Sequence, residues 1–218
     1  MDTIQQLILP EQTNQAEKMQ SYYRFHAKIY DVTRWTFLFG RQRLLDWLPY
    51  KQTDSPMIME VGCGTGSNLE KLSHHFPKAQ LLGVDVSAAM LDVADKKLRN
   101  TPNFVVLKQK TYGSEGVGFS QKPDCILFSY CLTMVNPNWE SLVLQAKMDL
   151  KDKGIIAISD FHQSKYAWFR RWMQLNHVRM EGHILPFLEQ HFETVKLERR
   201  PAYFGLWHYF VYIGKIKQ

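Results

Sequence analysis

The stretch Pro56-Met57-Ile58-Met59-Glu60-Val61-Gly62-Cys63-Gly64-Thr65-Gly66-Ser67-Asn68 decides the fold of this chain. Four of the five residues 57–61 are apolar, and three alternating glycines follow them. This pattern predicts a short buried strand that enters a tight turn, with a helix beginning near Ser67. Glycine is needed where backbone passes close to a bound molecule or adopts positive φ, and a helix N-terminus offers free N–H groups. The stretch therefore predicts a turn that cradles a ligand, for which a nucleotide is one candidate.

The glycine spacing separates two classes of cofactor. A dinucleotide site requires G-x-G-x-x-G, and the third glycine would then fall at position 67, which is Ser67. The motif here is E-x-G-x-G-x-G, and it resembles the first motif of class I S-adenosylmethionine-dependent methyltransferases. In that family the turn lies against the methionine part of the cofactor and binds no phosphate. The alternative is an ordinary glycine-rich turn between a strand and a helix.

The resemblance implies S-adenosyl-L-methionine as the cofactor and S-adenosyl-L-homocysteine as its product. It also implies a set of cofactor-binding residues in and around the turn: Glu60, Gly62, Cys63, Gly64 and Gly66.

Whole-chain properties favour one α/β domain. The chain has 218 residues, enough for a single domain with a full core. We expect no metal site, because the three cysteines form no C-x-x-C pair and have no histidine at zinc spacing. We also expect a reduced cytoplasmic protein without a membrane span, because no apolar run approaches about 20 residues. The net charge of +6 favours an anionic partner, either nucleic acid or an anionic membrane face.

Alternating helix and strand patterns predict a doubly wound, Rossmann-like sheet with helices on both faces. We expect seven mostly parallel strands with an antiparallel C-terminal strand, and an N-terminal helical lid. Residues 1–50 are assigned to an arm and lid and residues 51–218 to the methyltransferase domain, within one structural domain. The predicted helices are 68–75, 88–99 and 138–150, and the predicted strands after the first are 80–84, 103–107, a run beginning at 123, 155–159, 192–199 and 203–213.

Asp85 follows the second predicted strand and forms the second half of the site. A carboxylate at this position of a doubly wound sheet holds both hydroxyls of a ribose. The next helix begins after Ser87, a favourable N-cap. The alternative role for Asp85 is to compete with Ser87 as the capping group. Val86 and Met90 join Asp85 among the predicted cofactor-binding residues.

Methyltransferases of this class often place an acidic or polar residue near the adenine amino group, just after the third strand. Here Lys110, Thr111 and Tyr112 stand there in place of an Asp. Thr111 and Tyr112 are therefore the candidates for the adenine contact.

The fourth predicted strand ends at Ser129 and Tyr130. We expect its carboxyl end to lie at the same edge of the sheet as Gly62–Gly66 and Asp85, because ligands of parallel sheets bind at the carboxyl ends of the strands. We expect Ser129 and Tyr130 to point toward the reacting methyl, and we include Ser129 with the cofactor-binding residues. A primary amine acceptor needs only modest help in losing its proton. The candidate catalytic residues are Tyr130, His26, Tyr30, Asp160 and His162.

The segment from about Gln15 to Trp47 is unusually aromatic, and polar residues interleave with its rings. We interpret it as a lid over the cofactor turn, whereas the alternative is packing across the end of the sheet. Arg34 or Arg41 could bind a carboxylate, either that of the cofactor's methionine part or that of a homoserine headgroup. The polar residues are Arg24, His26, Tyr30, Asp31, Arg34 and Arg41.

Residues 164–180 combine large aromatics at helical spacing with basic residues. One interpretation is a crossover helix that packs on the sheet, and the other is contact with an anionic membrane surface. The aromatic residues are Trp168, Phe169 and Trp172, and the basic residues are Lys165, Arg170, Arg171 and Arg179.

A finer resemblance extends over most of residues 22–214. The segments 23–35, 39–41, 128–134, the region around Asp160-Phe161 and Trp172, and Pro201-Ala202-Tyr203 look like those of diacylglyceryl-homoserine N-methyltransferases of betaine-lipid synthesis. Related phosphatidylethanolamine N-methyltransferases share the Tyr-Asp and Gly-Arg elements. The resemblance implies methylation of an amino group on a lipid headgroup by a protein that associates peripherally with the inner membrane face.

Three alternatives remain: a phosphatidylethanolamine N-methyltransferase, a small-molecule methyltransferase, and a non-catalytic binding module on a methyltransferase fold. No nucleic-acid partner is expected, because Ser129-Tyr130-Cys131-Leu132 stands where an RNA-type N-P-P-Y motif would lie. The sequence leaves the oligomeric state open.

Overall fold

The computed structural model describes residues 37–113 and 121–217. Most of the predicted lid, including the catalytic candidates His26 and Tyr30, lies outside these residues. The described chain contains a seven-stranded sheet in the order β3-β2-β1-β4-β5-β7-β6. Its strands are β1 (Met57–Val61), β2 (Gln80–Asp85), β3 (Phe104–Gln109), β4 (Cys125–Ser129), β5 (Ile155–Gln163), β6 (Phe192–Ala202) and β7 (Trp207–Ile216).

The sheet is parallel except at its last strand. β1 pairs in parallel with β2 and β4, β2 with β3, and β4 with β5, whereas β7 runs antiparallel between β5 and β6. The carboxyl ends of β1 to β5 therefore meet at one edge, and β7 begins at that same edge. The predicted Rossmann-like fold class, with its antiparallel C-terminal strand, is confirmed.

Helices cover both faces of the sheet. Strand alternation sends Ile58 into the apolar cluster on one face and Met59 into the cluster on the other. Leucines of α1, α2 and α3 and Phe169 of α5 belong to the first cluster, and leucines of α4 and α6 belong to the second. The helices are α1 (Arg41–Asp46), α2 (Ser67–His75), α3 (Ala88–Leu98), α4 (Trp139–Asp149), α5 (Ala167–Leu175) and α6 (Ile184–His191).

Some boundaries differ from the prediction for reasons that are not local. β5 continues to Gln163 because its last residues pair with β7, which is distant in sequence. α5 spans only 167–175 of the predicted segment 164–180, and His177 just beyond it has a positive φ of 62°. α6, a short helix that contains Pro186, was not predicted from the sequence. Within residues 37–113 and 121–217, no helix is long and apolar enough to cross a membrane.

Candidate functional site

The glycine turn leaves β1 in a conformation that requires glycine. Gly62, Gly64 and Gly66 have φ values of 70°, 53° and 73°, in the left-handed region where other residues are strained. The backbone N–H groups of Gly62 and Cys63 donate to the carbonyl of Val84 at 2.8 and 3.2 Å. An added Cβ on Gly62 would lie 2.8 Å from Cys131 Sγ, so the turn packs closely against the loop that follows β4.

Asp85 connects this turn to the end of β2. Its Oδ2 accepts from the Gly64 N–H at 2.8 Å, and its Oδ1 accepts from the Ser87 N–H at 2.9 Å. Ser87 Oγ caps α3 by accepting from the Met90 N–H at 3.3 Å. Asp85 and Ser87 therefore act in sequence and do not compete, and the carboxylate is held at the carboxyl end of β2 beside the glycine turn.

A chain of polar contacts brings Arg41 to the same edge. Arg41 donates from Nε and Nη2 to Asn68 Oδ1 at 2.9 and 2.7 Å. Asn68 Nδ2 in turn donates to Glu60 Oε1 at 2.6 Å, and both Glu60 and Asn68 are buried. Side-chain hydrogen bonds thus connect the start of α1, the start of α2 and the end of β1.

Tyr130 stands at the end of β4 in a left-handed conformation, with φ of 54°. Its hydroxyl donates to the carbonyl of Phe39 at 2.7 Å, and its ring meets Phe161 edge-on with centroids 4.7 Å apart. Burial, and then the nearby Asp160 carboxylate, raise the Tyr130 pKa well above its usual range. Tyr130 is therefore a neutral phenol that already donates its proton in a hydrogen bond, which favours a positioning role over that of a base.

Asp160 is buried beneath the loop that follows β4. Its carboxylate accepts from the backbone N–H groups of Leu132, Thr133 and Phe161 and from the Thr133 hydroxyl. Burial raises its pKa to about 6, although these donors act in the opposite direction. The geometry indicates that Asp160 shapes the loop carrying Cys131, and its catalytic role remains a prediction.

His162 lies on the other side of β5 from Phe161, because successive residues of a strand point to opposite faces. Its ring packs against Phe210, a member of the cluster on the face opposite Tyr130. Burial, with Arg199 and the neighbouring histidines, lowers its pKa to about 4. The structure thus places His162 and the Tyr130 ring on opposite faces of the sheet, and the catalytic role of His162 remains a prediction.

Comparisons with known proteins identify the domain. A family model described as a methyltransferase domain matches residues 58–154. This range begins in β1 and includes the glycine turn, Asp85 and Tyr130. Residues 58–154 are a methyltransferase domain.

Relatives agree with this assignment. A malonyl-[acyl-carrier protein] O-methyltransferase of Halalkalibacterium halodurans is 25% identical over 153 residues, which are 66% of this chain and 55% of that protein. A trans-aconitate 2-methyltransferase of Variovorax paradoxus is 31% identical over 117 residues, or 54% of this chain and 42% of that protein. The chain therefore spans about half the length of these curated relatives.

Solved structures share the fold at low identity. The N-methyltransferase NodS from Bradyrhizobium japonicum, bound to S-adenosylhomocysteine, has a TM-score of 0.65 at 16% identity, covering 83% of this chain and 88% of that one. The 1,6-didemethyltoxoflavin-N1-methyltransferase of Burkholderia thailandensis has a TM-score of 0.69 at 15% identity, covering 97% and 92%. The chain has the fold of these methyltransferases, and the predicted enzyme class agrees with the methyltransferase domain matched over residues 58–154.

The remaining cofactor candidates of the methyltransferase domain differ in how deeply they are buried. Tyr112 is buried, and its hydroxyl donates to Asp149 Oδ2 at 2.8 Å, so that hydroxyl is directed into the contact with α4. The hydroxyl therefore has a partner within the protein, and the adenine contact of Tyr112 remains a prediction. Thr111 is exposed just beyond β3, Val86 is half-buried beside Asp85, and Ser129 and Met90 are buried.

Three features of this edge of the sheet were not predicted from the sequence. Asn68 joins Arg41 to Glu60, Cys131 packs against Gly62, and the Phe39 carbonyl accepts the Tyr130 hydroxyl. Asn68 was detectable as a polar residue in the first turn of the helix after the glycines. A backbone carbonyl at position 39 carries no signal in the sequence.

The residues at this edge fit an adenosyl cofactor. The glycine turn presents backbone with positive φ, Asp85 supplies a carboxylate for ribose hydroxyls, and buried Glu60 and Asn68 supply polar atoms behind the turn. No group of three or more His, Cys, Asp or Glu side chains within the described residues could hold a metal ion.

Proposed function

We propose that this chain is an S-adenosylmethionine-dependent methyltransferase that methylates the amino group of a lipid headgroup, of the diacylglyceryl-homoserine type. The observation that supports the acceptor chemistry best is the aromatic pair Tyr130 and Phe161 at the carboxyl ends of β4 and β5. The pair lies beside the loop that packs on Gly62, and we infer that the acceptor nitrogen meets the donated methyl there.

When bound, S-adenosylmethionine supplies an electrophilic methyl group, and the protein has to align the acceptor and exclude water. We assign the ribose to Asp85 and the methionine part to the turn Gly62–Gly66 with Glu60 behind it. Arg41, held by Asn68, is assigned to a carboxylate at the same edge. These roles use only side chains that the structure brings to the carboxyl ends of β1 and β2.

An amine acceptor suits the surroundings of Tyr130. An amine with a pKa near that of an α-amino group, about 7.7 to 8.0, needs only modest help to lose its proton, so a strong base is unnecessary. The quaternary ammonium product gains about 0.5 to 2 kcal/mol from the face of an aromatic ring. The neutral phenol of Tyr130 and the ring of Phe161 match this requirement, because neither carries a charge that would repel the cation.

A lipid acceptor requires the protein to reach a membrane surface, and α5 offers one. Phe169 and Met173 of this helix are buried, whereas Trp168 and Trp172 are exposed by 64% and 46%. Lys165 and Arg171 are exposed beside them, and residues 164–180 contain no carboxylate side chain. A basic aromatic helix face of this kind suits the interface of an anionic bilayer.

A carboxylate is the second candidate acceptor, because one group of relatives is named for O-methylation of malonyl-[acyl-carrier protein] and another for methylation of trans-aconitate. A carboxylate is already a nucleophile at neutral pH and needs no base. The Tyr130 and Phe161 pair favours a cation over an anion as the group next to it, and for this reason the amine stands first.

The test compares amine and carboxylate acceptors in the same assay. Purified protein is given S-adenosylmethionine with a diacylglyceryl-homoserine lipid, phosphatidylethanolamine, a long-chain fatty acid or trans-aconitate, in anionic vesicles where the acceptor is a lipid. S-adenosylhomocysteine formation and the mass of the product are measured. Addition of 14-dalton units to a lipid amine supports the proposal, whereas an ester of the carboxylate as the sole product would replace it with the second candidate.

The membrane contact has its own matched pair of variants. Arg171→Glu reverses an exposed charge of α5 and should weaken flotation with anionic vesicles, because each basic residue near such a surface contributes about 1 kcal/mol. Lys153→Glu makes the same charge change at an exposed turn before β5. Equal flotation of the two variants would remove α5 from the proposed membrane face.

A further inference from the structure

An apolar groove opens beside the acceptor end of the site. Its volume is about 480 Å³, and it is lined by Phe37, Trp168, Phe169, Trp172, Tyr203, Leu206 and Trp207. This volume lies within the range of about 300 to 1,000 Å³ that is typical of small-molecule sites. Among the described residues that line it, none carries a charge.

The deep wall of the groove is a stack of three rings. Trp207 lies between Phe37 and Phe169, with centroid distances of 5.4 Å to each and interplanar angles of 18° and 12°. Tyr203 adds a fourth ring at 4.8 Å from Trp207. A wall of packed rings loses little entropy on binding, so the groove is a preformed apolar surface.

Phe39 joins the groove to the acceptor end. Its ring contacts Tyr203 at 5.6 Å and Trp207 at 6.2 Å, and its carbonyl accepts the hydroxyl of Tyr130 at 2.7 Å. The side chain of Phe39 therefore lies against the groove, and its backbone carbonyl lies at the acceptor end of the site. A molecule with a polar end at Tyr130 would direct its other end into the groove.

Basic side chains lie on α5, which supplies three of the residues lining the groove, and just before it. Lys165 and Arg171 are exposed and Arg170 is half-buried. Glu181 beyond the helix pairs with Arg179, and its pKa is lowered by Arg179 and also by Arg170. An occupant with an apolar chain and an anionic group fits this arrangement, because the chain would meet the rings and the anion would meet Lys165 and Arg171.

We propose that the groove binds one unbranched alkyl chain of an amphiphile whose headgroup carries an anionic group, and that it holds the hydrophobic tail of the acceptor during methyl transfer. This inference rests on the proposed function in taking the acceptor to be amphiphilic. It goes further in assigning that acceptor's tail to Trp172, Trp207 and their neighbours, and it distinguishes a site for one chain from a helix face that only touches a bilayer.

The experiment measures binding of monomeric fatty acids without any methyl transfer. Hexanoate, octanoate and decanoate are titrated below their micelle concentrations, by calorimetry and by displacement of 11-bromoundecanoate, whose bromine quenches tryptophan fluorescence. Each added methylene should lower Kd about fourfold, as expected for burial at about 0.8 kcal/mol per CH₂. Affinity that does not change with chain length would overturn the assignment.

Two variants on α5 make the result specific. Trp172→Ala removes part of the wall and should weaken decanoate binding about tenfold, the loss expected for one aromatic contact with its buried area. Leu175→Ala alters a side chain that is 77% exposed on the same helix and lies outside the groove, and it should leave Kd unchanged. Equal effects of the two substitutions would contradict the proposal.

Other occupants give different results. Binding to anionic vesicles with no binding of monomeric decanoate would show a surface contact in place of a chain site. Self-association in sedimentation that Trp172→Ala abolishes would show a second copy of the chain in the groove. Chain-length-dependent binding without methylation of any amine would retain the groove and reject the amine acceptor, so the failures of the two proposals are distinguishable.

Discussion

The hydroxyl of Tyr130 donates a hydrogen bond of 2.7 Å to the backbone carbonyl of Phe39. The Ser159 hydroxyl donates to the same oxygen at 3.2 Å. Tyr130 directly follows β4, Ser159 lies within β5 opposite Ser129, and the acceptor lies just before α1. The short segment ahead of α1 is therefore fixed to the carboxyl edge of the sheet by side chains of two neighbouring strands.

Loss of these donors should be cooperative. Tyr130→Phe and Ser159→Ala each leave the Phe39 carbonyl one hydroxyl donor, and each should lower the free energy of unfolding by about 1 kcal/mol. The double variant removes both donors and should lower it by more than the sum of the single losses, because the partly buried Phe39 carbonyl then has no hydroxyl donor. Urea melts of the four proteins provide the cycle, and simple additivity would contradict the shared-acceptor geometry.

Gly62→Ala should be more damaging than a conformational penalty alone. A left-handed φ costs a non-glycine residue about 1 to 2 kcal/mol, and the new Cβ would also lie 2.8 Å from Cys131 Sγ. Gly205 has φ of 88° with nothing within 4 Å of an added Cβ, so Gly205→Ala measures the first effect alone. Thermal melts should rank Gly62→Ala below Gly205→Ala, and Cys131→Ala should restore part of the difference.

Cofactor binding should depend on Asp85. S-adenosylmethionine and S-adenosylhomocysteine should raise the Tm through preferential binding to the folded state, and NAD should not. Asp85→Ala should remove most of that shift and also lower the starting Tm, because the Gly64 and Ser87 N–H groups lose their acceptor. Asp92→Ala, at an exposed position of α3, is the control and should retain the full shift. A shift with NAD alone would overturn the cofactor assignment.

Asp160→Asn should destabilise the loop that follows β4. An amide has one acceptor oxygen where the carboxylate has two, so its nitrogen would face N–H and O–H donors at Leu132, Thr133 or Phe161. Leaving such donors unsatisfied costs about 1 to 3 kcal/mol. Asp152→Asn is the exposed control. Equal melting of the two variants would show that Asp160 does not hold this loop.

Stability should fall with acidification partly through His162. Its pKa is lowered to about 4 in the folded protein from an ordinary value of 6.5, so the unfolded chain binds more protons between these values. The stability that the folded protein gains from keeping His162 neutral is therefore complete above about pH 6.5, and it is lost as the pH falls toward 4. His162→Gln should flatten the dependence of unfolding free energy on pH in this window, whereas His74→Gln, at an exposed position of α2, should not.

The sequence predicted the half of the site that local patterns encode. Three glycines with an acidic residue before them identified the turn, and the Asp85 and Ser87 pair located the end of β2 and the cap of α3. Both signals are short-range, since turn conformation and helix capping depend on a few neighbouring residues. The segment 164–180 was likewise recognised as helical, but the structure confines the helix to 167–175.

The remaining features depend on contacts between distant parts of the chain. Asp160 and His162 are polar residues near the end of a strand, and nothing in the sequence shows that one is buried under a loop and the other faces Phe210. Tyr112 likewise bonds to Asp149, which is distant in sequence. Such partners are fixed only when the sheet and its helices pack together, and for this reason the catalytic candidates were less well predicted than the cofactor turn.

The position of β7 in the sheet has a consequence for the synthesis of this protein. β7 is made after every other described strand, yet it lies in the interior of the sheet between β5 and β6. A nascent or shortened chain that stops before Trp207 leaves the edge of β5 with unpaired backbone N–H and C=O groups. It also leaves the eleven-residue strand β6 without its neighbour. Exposed edges of this kind template aggregation, so incomplete chains should depend on chaperones until the final ten-residue strand is inserted.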